Sequence, residues 1–221
     1  AGVRAELTCA PHVAYPRYRF DQPGKAMLVV DLQHGPAWSE EQYHRRVKEC
    51  SVGQTDSLTL QGHVKSSVWV EQDVYFCLRL NVPILRTDTL PPLPGERGRR
   101  LVLHLLTSPN GTVEAKVALS AVSADGARRN LQAELPGWDF EQTARRAEAQ
   151  WEELLSHFAA EGTPDALRSF FTALYHAFVQ PNNVADADGA CRLPDGRTVQ
   201  AEGGTFFSTF SCWDTYRAAH P

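Results

Sequence analysis

Ser108-Pro109-Asn110-Gly111-Thr112-Val113-Glu114-Ala115-Lys116-Val117-Ala118-Leu119-Ser120-Ala121-Val122-Ser123 carries the strongest structural signal in the chain. Val113, Ala115, Val117, Leu119 and Ala121 alternate with Thr112, Glu114, Lys116 and Ser120. Successive side chains of a strand point to opposite faces, so this period of two predicts a strand over Thr112 to Ser123 with one face on a core and the other in water. The residues before it, Ser108 to Gly111, have hairpin chemistry: Pro presets φ and Gly accepts the positive φ of a tight turn. They predict a hairpin with a strand over Arg100 to Thr107.

Outward from this pair, short β segments bounded by Gly, Pro, Asn or Asp recur at Ala26 to Leu32, Ser57 to Val64 and Val74 to Val82. Leu90-Pro91-Pro92-Leu93-Pro94-Gly95 is a stiff connector. From Leu7 to about Leu135 the chain reads as all-β, and a sandwich is the economical architecture. The character changes at Pro136-Gly137. Phe140, Ala144, Ala147, Trp151, Leu154, Leu155 and Phe158 then recur at three- and four-residue steps, the apolar stripe of a helix. Asp139 with Gln142 resembles a capping box at its start, and Gly162 is placed to stop it. Thr163 as N-cap and Pro164 in the first turn predict a second helix, with Leu167, Phe170, Phe171, Leu174, Tyr175 and Phe178 on its inner side, ending before Pro181. Asp188-Gly189 and Asp195-Gly196 are turns flanking a short hairpin, Ala190 to Arg192 against Arg197 to Gln200. The aromatic stripe of the second helix is wide for the sequence that follows it, so either further chain packs on it or it lies on the β domain.

The 221 residues carry a net charge of -4, with Lys and Arg scattered apart from Arg97-Gly98-Arg99-Arg100. That balance argues against a nucleic-acid partner. No apolar run approaches the roughly 20 residues of a membrane-spanning helix, and Ala1 to Leu7 is neither a signal peptide nor an initiator context, so the sequence is expected to begin within a longer protein. Five cysteines (Cys9, Cys50, Cys77, Cys191, Cys212) at irregular separations give neither a disulfide framework nor a zinc motif and are expected to be mostly free, buried thiols. Asn110-Gly111-Thr112 fits a glycosylation acceptor, but the same residues make a good turn. Asp186-Ala187-Asp188-Gly189 lacks the third acid and distal Glu of a calcium loop and reads as a plain turn. The eight histidines show no metal-binding spacing.

Chemistry is concentrated near the end of the sequence. Trp213-Asp214 follows Ser208-Thr209-Phe210-Ser211 and places an indole beside a carboxylate. That pair suits a pyranose: its apolar face stacks on an aromatic ring, and vicinal hydroxyls donate two charge-assisted hydrogen bonds to one carboxylate. The same pair also suits a helix cap and a core tryptophan. Glycoside hydrolysis requires two carboxyl groups across the scissile bond, and only Glu202 and Asp214 are acidic in this segment.

The run Gln200-Ala201-Glu202-Gly203-Gly204-Thr205-Phe206-Phe207-Ser208-Thr209-Phe210-Ser211-Cys212-Trp213-Asp214-Thr215-Tyr216-Arg217 closely resembles the signature of glycoside hydrolase family 92, the calcium-dependent exo-α-mannosidases. The resemblance extends upstream through Phe171 to His176, Asp186 to Gly196 and Asn130 to Phe140, and back to Ala5 to Thr8, Arg17 to Phe20 and Asp73 to Phe76. It implies an α+β multidomain fold: a β-sandwich over 1–135, a helical linker over 136–162, and the start of an (α/α)6 barrel over 163–221. It further implies removal of terminal α-linked mannose from glycans with inversion, assisted by calcium, in a secreted or periplasmic protein. Trp213 and Asp214 would line the subsite for the terminal mannose, while the catalytic acid and base and the calcium ligands would lie beyond Pro221, so no catalytic or metal residue is assigned. Family members usually carry an Arg and, four residues on, a His in the first sandwich segment. Here His12 and Pro16 stand there, and if the Arg holds sugar, His12 is the substrate-binding counterpart with a weaker, non-planar-fork contact. The alternative is a noncatalytic carbohydrate-binding or interaction module built on the sandwich.

Overall fold

The computed structural model describes residues 2–33, 47–67, 71–92 and 97–208. In chain order the strands of the first part are β1 (Val3–Cys9), β2 (Val13–Phe20), β3 (Lys25–Asp31), β4 (Val47–Asp56), β5 (Thr59–Ser67), β6 (Glu71–Leu80), β7 (Ile84–Leu90), β8 (Arg100–Leu106) and β9 (Thr112–Ser120). Three helices follow, α1 (Ala124–Glu134), α2 (Phe140–Leu155) and α3 (Pro164–Ala177), then a small hairpin of β10 (Ala190–Arg192) and β11 (Thr198–Gln200).

The strands form one antiparallel sheet in the order β1-β2-β9-β6-β5-β4 and a second in the order β3-β8-β7. The two face each other across a core of Ala26, Leu103 and Leu105 from the small sheet and Leu60, Phe76, Leu78, Val113 and Ala115 from the large one. This is the expected sandwich. The expected segments at Ala26–Leu32, Val74–Val82 and Arg100–Thr107 correspond to β3, β6 and β8 apart from their ends. Both edge strands of the large sheet, β1 and β4, are largely exposed; β4 carries few apolar residues, whereas in β1 Val3, Ala5, Leu7 and Cys9 alternate with Arg4, Glu6 and Thr8, a period of two outside the expected segments. In β2, Pro16 has no N–H to donate, and the ladder to β9 lapses at Tyr15 and Pro16 while keeping register on either side, Ala14 opposite Val117 and Arg17 opposite Glu114.

Three expectations are corrected. The second face of β9 is not in water: Lys116 is 1% exposed, and Ala118 and Ser120 are buried beside it. It is covered by α1, which lies inside the span read as all-β. Ala127, Leu131 and Leu135 pack with Phe140 onto Val13, Tyr15, Cys77 and Ala118, making a second core on the back of the large sheet. The turn at Ser108 to Gly111 is real, with Gly111 at φ 74 donating to the Ser108 carbonyl at 2.9 Å, but it closes no hairpin. β8 and β9 belong to different sheets, so the turn carries the chain from one layer of the sandwich to the other.

The helix starts hold, while α2 ends at Leu155, before Phe158 and the stop expected at Gly162. Asp139 accepts a hydrogen bond from the Gln142 amide at 2.8 Å, and Thr163 accepts one from the Ala166 amide at 3.3 Å with Pro164 opening α3. α2 and α3 meet through Trp151 and Tyr175, whose ring centroids are 4.6 Å apart. No residue of α3 is buried.

Candidate functional site

Trp213, Asp214 and Cys212 lie outside the described residues. What the structure shows is the frame that leads to them. Residues 205–208 return alongside residues 182–184: Val184 donates to the Phe206 carbonyl at 2.8 Å, Ser208 to the Asn182 carbonyl at 2.7 Å, and Phe206 to Asn183 Oδ1 at 3.0 Å. Ser208 Oγ in turn accepts from the Asn182 amide at 3.0 Å. The segment preceding Trp213 is thus tied to the loop that follows α3.

That loop is anchored on the sandwich by a buried carboxylate. Asp186, 2% exposed, accepts Ser120 Oγ at 2.7 Å on one oxygen and Asn130 Nδ2 at 2.8 Å on the other. Asn130, fully buried in α1, also donates to the Leu119 carbonyl at 2.9 Å and accepts from the Ala187 amide at 2.8 Å. Every polar atom of the cluster has a partner, so the loop, α1 and the end of β9 form one unit. Asp188 accepts Arg129 Nε at 2.8 Å and the Ala190 amide at 3.1 Å, which makes Asp186 to Gly189 a structural turn. On the neighbouring strand pair, Asp73 bridges His63 Nε2 at 2.6 Å and Arg192 at 3.0 Å, fastening the β10–β11 hairpin to β5 and β6, while His63 stacks on Tyr75 with centroids 4.5 Å apart.

His12 sits in the turn between β1 and β2. Its backbone amide donates to Glu134 Oε2 at 2.8 Å and its Nδ1 meets Glu134 Oε1 at 2.5 Å. The Glu134 carboxylate holds the imidazole pKa above its ordinary value, against the opposing pull of burial. Nε2 is buried and has no hydrogen-bond partner among the described residues. His12 therefore locks the first turn of the sandwich to the C-terminal end of α1. The structure does not place it together with Trp213 and Asp214, which are undescribed.

A second tie reaches the same helix end. Lys116 Nζ donates to the Leu135 carbonyl at 2.7 Å and the Gly137 carbonyl at 2.5 Å and lies 4.1 Å from the centroid of the Trp138 ring. Sequence reading missed the Asp186–Asn130–Ser120 cluster, the Asp73 bridge and Lys116. Asp186 and its partners are 56 and 66 residues apart, and no local pattern marks such a meeting. Cys9, Cys50, Cys77 and Cys191 are free thiols, as expected, but only Cys77 and Cys191 are buried, while Cys50 is half-buried and Cys9 exposed.

The carboxylates that surround this frame are thus engaged in holding it. Among the described residues no group of three or more His, Cys, Asp or Glu side chains is arranged to hold a metal ion, and no helix is long and apolar enough to cross a membrane.

Residues 1–120 match the glycosyl hydrolase family 92 N-terminal domain, and residues 126–221 match the glycosyl hydrolase family 92 catalytic domain. The structure is similar to that of a family GH92 α-mannosidase from Bacteroides thetaiotaomicron, with a TM-score of 0.84 and 26% identity over 100% of this chain and 31% of that one. The same bacterial enzyme has been solved in complex with mannoimidazole. A family GH92 inverting mannosidase of the same bacterium shares the fold, with a TM-score of 0.80 and 20% identity over 100% of this chain and 30% of that one. An uncharacterized secreted glycosidase of the fungus Arthroderma benhamiae is 30% identical over 123 residues, 52% of this chain and 15% of its own length. The chain spans about a third of the solved structures it matches.

Proposed function

The chain belongs to glycosyl hydrolase family 92, and on that premise we propose that the protein it forms part of is an exo-acting α-mannosidase that releases terminal α-linked mannose from glycans with inversion. The observation that carries this reading is the match of the whole chain, at a TM-score of 0.84, to an α-mannosidase that has also been solved with mannoimidazole. A secreted or periplasmic setting is in keeping with the fungal relative's description as a secreted glycosidase.

In this reading Trp213 stacks on the apolar face of the terminal mannose and Asp214 accepts hydrogen bonds from two of its hydroxyls. His12 acts through position: with Nδ1 committed to Glu134 and Nε2 buried, it fixes α1, and through Asn130 and Asp186 the loop that carries the sugar-binding segment. The catalytic acid and base lie downstream of Pro221, separated by about 6.5 to 9.5 Å so that a water fits between base and anomeric carbon. Calcium is proposed to bind there as well. The described residues do not fit it: both oxygens of Asp186 are taken by Ser120 and Asn130, and Asp188 by Arg129 and the Ala190 amide.

The test is hydrolysis of an aryl α-mannoside by the full-length protein, with the first-formed anomer followed by proton NMR. β-Mannose appearing first, loss of turnover on chelation and its return with calcium are expected. Absence of mannose release by the full-length protein overturns the reading, and α-mannose as first product overturns inversion. Asp214→Asn should lower kcat/KM by about 10- to 100-fold, the loss of one charge-assisted hydrogen bond of roughly 1.5–3 kcal/mol.

A further inference from the structure

On the outer face of the large sheet, away from the loop that leads to Trp213, a cavity of about 220 Å³ is lined wholly by polar side chains. Arg17 and Arg19 enter it from β2, Thr112 and Glu114 from β9, Asn81 from the turn after β6, and Asn110 from the corner between the two sheets. We propose that this cavity is a second carbohydrate subsite, taking one neutral hexopyranose through hydrogen bonds to Glu114, Asn81 and Asn110; the proposal rests on the mannosidase reading for the kind of sugar the protein meets.

The hydrogen-bonding capacity of the cavity is incompletely used by the protein. Asn110 Oδ1 accepts from Ser108 Oγ, while its Nδ2 has no partner among the described residues. Asn81 Oδ1 accepts from the Glu114 amide at 2.8 Å, leaving Nδ2 with only a long contact of 3.5 Å to Glu114 Oε2. Burial pushes the Glu114 carboxyl above its ordinary pKa despite the Tyr15 hydroxyl and the charges of Arg17, Lys116 and Arg19, the condition of a carboxylate with too few donors. Vicinal hydroxyls supply two donors to one carboxylate, and their oxygens accept from the free amide hydrogens of Asn81 and Asn110.

Charge selects a neutral ligand over an anion. Arg17 is already paired with Glu6 at 2.9 Å and Glu141 at 2.8 Å, and Arg19 with Glu6 at 2.7 Å. Glu6, Glu141 and Glu114 stand among Arg17, Arg19, Lys116 and Arg4, and both guanidiniums that line the cavity are already paired with carboxylates, so a phosphate or sulfate finds no unpaired guanidinium there. No aromatic ring lines the cavity. The apolar face of the sugar thus finds no stacking platform, and binding should be weak, with a Kd on the order of 1–10 mM.

The experiment uses the full-length protein saturated with mannoimidazole to block the proposed active site, then titrated with methyl α-mannoside and followed by saturation-transfer NMR. Residual saturable binding in the millimolar range is expected. It should weaken at least about tenfold in Glu114→Gln and in Asn110→Ala, the latter on an exposed corner, persist in Asp214→Asn, and resist competition by inorganic phosphate. No residual binding in the wild type, equal binding in both cavity variants, loss in Asp214→Asn, or displacement by phosphate each overturns the proposal. Aryl α-mannoside hydrolysis, measured separately without inhibitor, decides the mannosidase reading whichever way the titration falls.

Discussion

At Lys116 the alternating pattern of β9 points to water, and the structure buries the side chain under the chain's own return. Its amine, held down to about 8 by burial, is charged at neutral pH and spans the two carbonyls at the end of α1. Nothing local to Thr112–Ser120 encodes that cover, because Leu135 and Gly137 arrive only after α1 has crossed the sheet. Replacing Lys116 by Met keeps the apolar stem but leaves both carbonyls unpaired, and should cost the full-length protein about 2–4 kcal/mol in chemical denaturation. A variant as stable as the wild type would show that stem and ring packing suffice. Two titrations act at the same scale with opposite signs. Glu6 is lowered from 4.5 to about 2 by hydrogen bonds from Arg17 and Arg19, so its contribution is complete above the unfolded value of 4.5 and fades as pH falls toward 2. Glu6→Gln should therefore trail the wild type in melting temperature at pH 6 and converge on it near pH 2.5. The His12 pKa is raised from 6.5 by Glu134, so its contribution is full below 6.5 and is lost as pH rises through the higher folded value. His12→Gln should flatten that alkaline decline, and an unchanged slope would sever it from the His12–Glu134 pair.

Among the elements, legibility followed whether the determining contacts were local. α2 and α3 are written in consecutive residues, Asp139 and Thr163 as caps and Pro164 in the first turn, and both start where expected, although α2 ends at Leu155, short of Phe158 and Gly162. α1 is not. Its N-cap Ser123 accepts from the Gly126 amide at 2.9 Å, yet Ala121 and Val122 extend the apolar pattern of β9 up to that cap, and Gly126 and Asn130 are poor helix formers. Those two residues are where the helix meets the loop at Asp186. A Cβ built on Gly126 would stand 2.4 Å from Asp186 Oδ2 and 2.7 Å from Ser120 Oγ. Intrinsic propensity predicts that Gly126→Ala stabilises by about 1 kcal/mol. The contact predicts the reverse: a loss of stability, with faster amide exchange at Ala187 and Ala190, whose protection depends on Asn130 and Asp188. A gain in melting temperature for this variant would mean that the Asp186 cluster yields at no cost.

Over the whole molecule, the sandwich and the helices differ in how completely they are covered. The sandwich holds one core between its sheets and a second under α1, and its class was legible from β3, β5, β6, β8 and β9, while β1, β2, β4 and β7 were not read as separate strands. Trp213-Asp214 could be read only as a motif and lies outside the described residues, while the frame at Asp186 gave no sequence signal, since its contacts join β9, α1 and that loop across distant sequence. α3 has the opposite balance. Its aromatic stripe was plain in the sequence, but Phe170 and Tyr175 are each 42% exposed, and Phe178 and Phe207 beyond it are exposed as well. A contiguous apolar face of this kind marks a surface that packs on something else, and this chain covers only 31% of a solved relative, which leaves further structure available to pack on it. Residues 1–221 expressed alone should consequently bind a hydrophobic dye strongly and self-associate on light scattering, and should hydrolyse no aryl α-mannoside. The full-length protein should do neither of the first two. Paired Phe170→Glu and Phe178→Glu substitutions should keep the short chain monomeric while destabilising the full-length protein, the outcome expected if the face exposed in one is packed in the other. Equal effects on both would place this face at the surface of the complete molecule, and turnover by residues 1–221 would place the catalytic carboxylates within this chain.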